Sequence, residues 1–507
     1  MTEGSSNRRI AKNTVLLYIR TIIVLFLSLY TSRQILKALG AEDLGIYNVV
    51  GGIVALMAFF RHSLSRSTSR FITYELGKKG DTISLSRIFS SAMTIHVMIV
   101  GIAIVLGETI GIYIMEHWTD IPENRQQAAF WVYQCALVIF CLQILTSPYE
   151  SNVIAHEKMS VFAYMSILSA LLKLFIVYIL LVNTSDRLIL YGVLMVLMDA
   201  LLLLLYFWYT RRYFSVFRFH FLWDKEFSKR IFAFSSWTLL GSSMNAATQQ
   251  GVSLLFNNYV GLIANTALGF SNQVNGAVIQ FVSSFQTAFN PQIIKLYAKK
   301  EILQMHELII RASKFSFILA YMLALPLIFN MDFVLGIWLG EVPKYTIEFC
   351  QLILICSIID SVTGVFNTAI TATGNIRGFQ IGISCSFLLD LVTSALLLYN
   401  DMHPAIVFGS RILTRGLLNL IIELYFVRKQ LLFSIQKYVS IVLVPIMFFI
   451  IISISILMIV NNLFNGFSRL FASCLSSIVV CLILTFLLIL DGHEKEVVFN
   501  HIRKRCL

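Results

Sequence analysis

Several ionisable side chains stand inside stretches of sequence that are otherwise apolar. Lys173 and Asp199 fall near the middle of two consecutive stretches; Asp390 and Arg415 fall near the middle of a later two, with Arg411 one turn from Arg415. A charge in hydrocarbon is costly, so such groups pair with one another or face a water-filled cavity. Matched depth makes Lys173–Asp199 and Asp390–Arg415 candidate ion pairs, with the sign reversed between them and Asp360 an alternative partner for the second. For Lys173–Asp199 the plain reading is charge neutralisation. The Asp360, Asp390, Arg411 and Arg415 group is a candidate for coupling or gating, with a proton or sodium as the ion. Glu108 and Glu423 fit either class.

Two further chemistries are written at the stretch ends and in their amides. Arg20 lies about two turns into the first stretch, close enough to its end to snorkel to water, yet its planar fork equally suits a phosphate. Arg61 and Arg66 sit among Ser63, Ser65, Ser67, Thr68 and Ser69, as positive anchors or as an anion-binding mouth. Amides crowd two later stretches, with Asn245, Gln249 and Gln250 in one and Asn272, Gln273, Asn275, Gln280, Gln286 and Asn290 in the next. Amides donate and accept at once, which matches sugar hydroxyls. Packing between membrane helices is the alternative use, and it explains single Ser or Thr residues better than it explains so many long amides. Asn245, Gln249, Asn272 and Asn275 are therefore candidate glycan contacts.

The elements that position these residues are membrane helices. Of 507 residues, 58% are hydrophobic and 13% charged, whereas globular chains carry about a quarter charged. Runs of about twenty apolar residues occur at 15–36, 44–60, 90–115, 128–148, 161–182, 188–209, 231–257, 266–290, 314–338, 346–371, 379–399, 404–427, 438–460 and 469–490. Fourteen spans place both termini on one side. With the N-terminus cytoplasmic, 29 of the 39 Lys and Arg fall on the inside and four outside (Lys37, Arg125, Arg187, Lys344), counting Lys314 at the inner edge of its span. That bias is the positive-inside pattern, and it explains the net charge of +12 without nucleic acid. The basic start (Arg8, Arg9, Lys12) runs into the first span with no cleavage site, so that span is expected to remain. Seven of eight cysteines lie in or beside apolar runs, as filler and not as disulfides or metal ligands.

An internal repeat divides the spans. LGIYNVVGG at 44–52 and LGFSNQVNG at 268–276 share five of nine positions; each follows a glycine turn (Gly40, Gly261) and opens an even-numbered span. The expected fold is thus an all-α polytopic membrane protein with two parallel six-helix repeats and an appended helix pair. The expected boundaries are a bundle at 1–210, a basic, aromatic interfacial linker at 211–230, a second bundle at 231–430, and a helix pair with basic tail at 431–507.

The opening segment, and SRQILKALGAEDLGIYN (Ser32–Asn48) above all, resembles the start of the polysaccharide repeat-unit flippases, the O-antigen and capsule exporters of the MATE-like superfamily. Topology extends the resemblance along the whole chain. It implies two bundles around a cavity lined mainly by the first, second, seventh and eighth spans. It also implies transport of an undecaprenyl-pyrophosphate-linked oligosaccharide across the bacterial inner membrane, with possible contact with polysaccharide polymerase machinery. Basic residues that meet the pyrophosphate in such proteins would correspond here to Arg20, Arg33, Arg61 and Arg66. Cation-coupled drug exporters of the same fold rely on a carboxylate in the first or seventh span, and both spans here lack one. A glycan polymerase or ligase would need a large external loop, and the longest expected here is about a dozen residues. No resident cofactor is expected, and the partners are the lipid-linked oligosaccharide and membrane lipids.

Overall fold

In a bilayer the backbone has no water to bond, so each span must satisfy its own N–H and C=O groups by coiling. The computed structural model is accordingly almost entirely helical, with no strand among the described residues, 3–55, 58–78, 82–118, 121–182, 186–214, 225–490 and 495. The centre of the 211–230 linker and most of the basic tail lie outside these residues.

The chain opens with α1 (Glu3–Ala55), two helical arms joined at Gly40 (φ 80°, ψ 172°). There follow α2 (Ala58–Gly77), α3 (Ile83–Met115), α4 (Gln126–Ala155), α5 (Met159–Val182), α6 (Arg187–Tyr213), α7 (Lys225–Tyr259) and α8 (Leu262–Ala298). The remainder is α9 (Ile302–Phe329), a short helix at Met331–Leu339, α10 (Thr346–Thr373), α11 (Arg377–Tyr399), α12 (Pro404–Leu431), α13 (Ile435–Leu463) and α14 (Gly466–Ile489). Gly261, between α7 and α8, also has positive φ (104°), so both arms of the sequence repeat are preceded by a backbone turn that favours glycine.

Eleven of these helices are long and apolar enough to cross a membrane. The expected spans at 44–60, 231–257 and 266–290 are outside that set. Residues 44–55 belong to the second arm of α1, while α7 and α8, at 35 and 37 residues, have ample length but dilute their apolar character with amides and hydroxyls. Peripheral and central helices separate by burial at similar hydropathy. The most apolar window of α3 is 17% buried, that of α10 56%, so α3 turns mostly outward and α10 is a core element.

The chain forms two compact units, Met1–Ser243 with Thr287–Lys300, and Met244–Gln286 with Glu301–Leu507. In the first, Ala38 and Leu39 pack with Ile176, Val177 and Leu180 of α5 and with Tyr191, Met195 and Met198 of α6. The first part of α7, up to Ser243, and the last part of α8, from Thr287, belong here too. Ser63 donates to the Ser235 carbonyl at 2.6 Å, and Lys295 pairs with Glu157 at 2.6 Å. A Cβ on Gly77 would lie 2.8 Å from the Lys295 Cα, so only glycine permits that approach. At the other end Arg125 bridges Asp43 and Asp186.

In the second unit Phe256, Phe349 and Phe408 cluster, the last two stacked at 4.4 Å between centroids. The final pair, α13 and α14, is fastened to α9 by polar bonds. Ser313 and Tyr438 share a hydrogen bond of 2.6 Å, Tyr321 and Ser453 one of 2.7 Å, and Lys314 Nζ donates to the Ile489 carbonyl at 2.9 Å. Lys314 is thus no edge residue. α9 begins at Ile302, and Lys314 lies within it at 2% exposure. Arg469 completes the attachment through Asn330 and Asp332.

Candidate functional site

Each of α4, α5 and α6 carries a stripe at the i, i+3, i+7 spacing that lines up side chains on one helix face. The stripes are Gln143–Thr146–Glu150, Ser166–Ser169–Lys173 and Asp199–Leu202–Tyr206, and all three converge on one cavity in the first unit. Arg20, Val24 and Ser28 of α1 and Arg61 of α2 complete its wall. Its volume is about 340 Å³, within the usual range for a small-ligand site.

Arg20 donates to Ser166 Oγ at 3.1 Å and lies over the Phe162 ring at 5.1 Å. Arg61 presents its two terminal nitrogens to different acceptors: Nη1 reaches Gln143 Oε1 at 2.9 Å, and Nη2 stands 3.7 Å from Glu150 Oε2. Gln143 passes the connection on, its amide donating to Asp199 Oδ2 at 3.4 Å. Lys173 lines the same cavity, yet the expected Lys173–Asp199 ion pair is not formed among the described residues; Asp199 is held by Gln143. Equal depth placed the two groups across a space, too far apart for a bond. The cavity wall therefore holds three cations (Arg20, Arg61, Lys173) and two carboxylates (Glu150, Asp199).

The second unit arranges its charges differently. Arg411 Nε donates to Asp390 Oδ2 at 3.2 Å and Thr414 Oγ1 to Asp390 Oδ1 at 3.0 Å, with the Asp390 side chain fully buried. The pairing differs from the expected Asp390–Arg415. Arg415 instead donates to Asn245 Oδ1 at 2.7 Å and lies over Phe387 at 4.9 Å. A wide π-helical turn at Ile412–Leu417 begins directly after Arg411 and contains Arg415. Asp360 forms no ion pair within 4 Å among the described residues; Glu423 is buried with its Oε2 unpartnered.

The remaining sequence candidates scatter. Gln249 donates to Asn245 at 3.3 Å, and Asn275 accepts from Ser357. Asn272, Arg33 and Arg66 are exposed, and neither Arg33 nor Arg66 reaches the cavity wall. Glu150, Gln143 and Ser166 were not singled out from sequence, although the polar stripes on α4 and α5 carry their signal.

The fold is that of the MATE transporters. A MATE protein crystallised in complex with MaD3S superposes with a TM-score of 0.73 at 11% identity, covering 84% of this chain and 96% of that one. A MATE protein in the bent conformation gives 0.73 at 10% identity, covering 84% and 95%. A MOP-superfamily transporter from Pyrococcus furiosus, for which a binding pocket of reverse polarity suggests a different function, gives 0.71 at 11% identity, covering 83% and 96%. No protein-family model and no curated protein sequence matches. At such identities the likeness establishes the fold.

Proposed function

We propose that the chain is a flippase carrying an undecaprenyl-pyrophosphate-linked oligosaccharide, an O-antigen or capsular repeat unit, from the inner to the outer leaflet of the bacterial cytoplasmic membrane. The reading rests on the cavity in which Arg20 and Arg61 stand together on the wall. Two guanidinium forks suit the oxygens of a diphosphate, and charge-assisted bonds of this kind are about twice as strong as neutral ones. With both termini cytoplasmic, Arg20, Arg61 and Glu150 lie toward the inner leaflet, at the level where a lipid phosphate rests. On α5 the seven residues from Ser166 to Lys173 rise about 10 Å, so Lys173, Gln143 and Asp199 stand deeper, where the sugars attached to that phosphate would lie.

A pyrophosphate sugar cannot cross hydrocarbon uncovered. A cavity that opens alternately to the two sides would shield the head group while the prenyl chain stays in lipid. In this scheme the fourteen spans are two six-helix bundles, 1–210 and 231–430, with the basic linker 211–230 and the pair at 431–507. The Asp360, Asp390, Arg411 and Arg415 group serves the coupling ion, a proton or sodium, and the outer face hands its product to polysaccharide polymerase machinery. Deleting the gene should trap completed repeat units on the inner leaflet, and purified protein in proteoliposomes should move labelled lipid-linked oligosaccharide between leaflets. Unchanged surface glycan in the deletion strain would refute the proposal.

A second reading, a cation-coupled multidrug exporter of the same fold, is favoured by one observation. Glu423 is a buried carboxyl without a cation within 4 Å among the described residues, a kind of group that ion-coupled cycles use. Altered drug sensitivity on deletion, with normal surface glycan, would establish this reading in place of the first. A membrane polymerase or ligase is a distant third.

A further inference from the structure

We infer that Glu150 is an internal stand-in for the substrate's phosphate, occupying Arg61 while the cavity is empty and yielding it when the lipid-linked anion arrives. The inference rests on the flippase reading above and adds the residue that sets binding against release. Glu150 stands two residues beyond Pro148, at the inner end of α4, and its carboxylate points into the cavity that Arg20 and Arg61 share.

Of the contacts that hold Arg61, the one to Gln143 has the length of a hydrogen bond (2.9 Å), whereas the one to Glu150 is longer (3.7 Å). The Glu150 contact is therefore the looser of the two. Both partners are partly open to the cavity, with side-chain exposures of 34% for Arg61 and 23% for Glu150. A carboxylate and a phosphate present the same kind of acceptor to a guanidinium. An incoming phosphate can therefore replace Glu150 without disturbing the Arg61–Gln143–Asp199 chain.

The arrangement also answers a problem that any carrier with a cationic site faces. After unloading, the site must return empty, and uncompensated cations in a low-dielectric wall are costly. Glu150 compensates Arg61 on that return. By competing for Arg61 it also opposes retention of the substrate, which favours release on the far side.

The test uses the full-length protein in nanodiscs, with inorganic pyrophosphate and farnesyl pyrophosphate as probes and binding followed by calorimetry. Wild-type protein should bind both probes, and Arg61→Gln should weaken binding at least tenfold. Glu150→Gln should tighten binding about tenfold, equivalent to about 1.4 kcal/mol, while slowing flipping in proteoliposomes. The double variant R61Q/E150Q, which leaves the net charge of the cavity wall as in the wild type, should bind no better than R61Q, and it carries the test if E150Q does not fold. E150Q binding that is unchanged or weaker, at an unchanged unfolding temperature, overturns the stand-in role. Tighter binding by the double variant than by R61Q also overturns it, because Glu150 would then repel anions generally. Wild-type protein that binds neither probe, just as R61Q does, would remove the phosphate site itself and the flippase reading with it.

Discussion

Two groups of charges, one in each unit, are arranged in opposite ways. In the second, Asp390 is fully buried and held by Arg411 and Thr414 together, and Arg415 has its own partner in Asn245. In the first, the charges line an open space, the Arg61–Glu150 contact is 3.7 Å long, and Lys173 has no bonded partner among the described residues. A closed network resists change because removing one member strands another away from water. An open one tolerates substitution of its own members and has contacts to offer a guest. The contrast separates charges already bonded within the protein from charges open to a large guest, a distinction that depth in the membrane alone does not make.

The contrast can be broken experimentally. The largest effect on stability is expected from Asp390→Ala, which leaves Arg411 buried without its counter-charge. It should lower stability by about 3–5 kcal/mol, measured by thermal unfolding in detergent. A loss below about 1 kcal/mol would mean that the second unit is as open as the first. Next comes Lys314→Met, which removes a charged donor from the Ile489 carbonyl. A loss of about 1.5–3 kcal/mol is expected, with α14 becoming more accessible to hydrogen exchange.

Arg61→Gln should change stability by less than about 1 kcal/mol, because its partners are half-open to the cavity, yet abolish complementation of a flippase-deficient strain. A stability loss as large as that of D390A would place Arg61 among the structural charges. The smallest stability effect belongs to Lys173→Met, which should leave the unfolding temperature within error of wild type. A fall in flipping rate without a change in unfolding temperature would assign Lys173 to the substrate.

Much of this contrast was legible from the chain, and the remainder failed for identifiable reasons. Eleven spans could be read because the bilayer requires a length and a composition that few other demands imitate. The arginines of the cavity could be read as well, Arg20 and Arg61 being conspicuous in their surroundings. Partner choice could not. Arg411 and Arg415 are one turn apart in sequence, and the wide turn that begins after Arg411 and contains Arg415 has no sequence signature. Glu150 escaped because Pro148 looks like the end of a helix, although α4 continues to Ala155. Lys173 and Asp199 were matched in depth, and depth says nothing about the width of the space between two helix faces.

One joint described above carries a requirement of handedness. At Gly40 the backbone adopts φ 80° and ψ 172°, and nothing lies within 4 Å of where a Cβ would stand. Room is plentiful; the obstacle to any ordinary side chain is chirality, since this region of the backbone map is almost closed to L-residues. The mirror image of these angles is ordinary extended backbone. A D-alanine placed there by semisynthesis should accept the backbone angles of the bend between the two arms of α1 without strain, while L-alanine, with the same atoms and the same volume, should not.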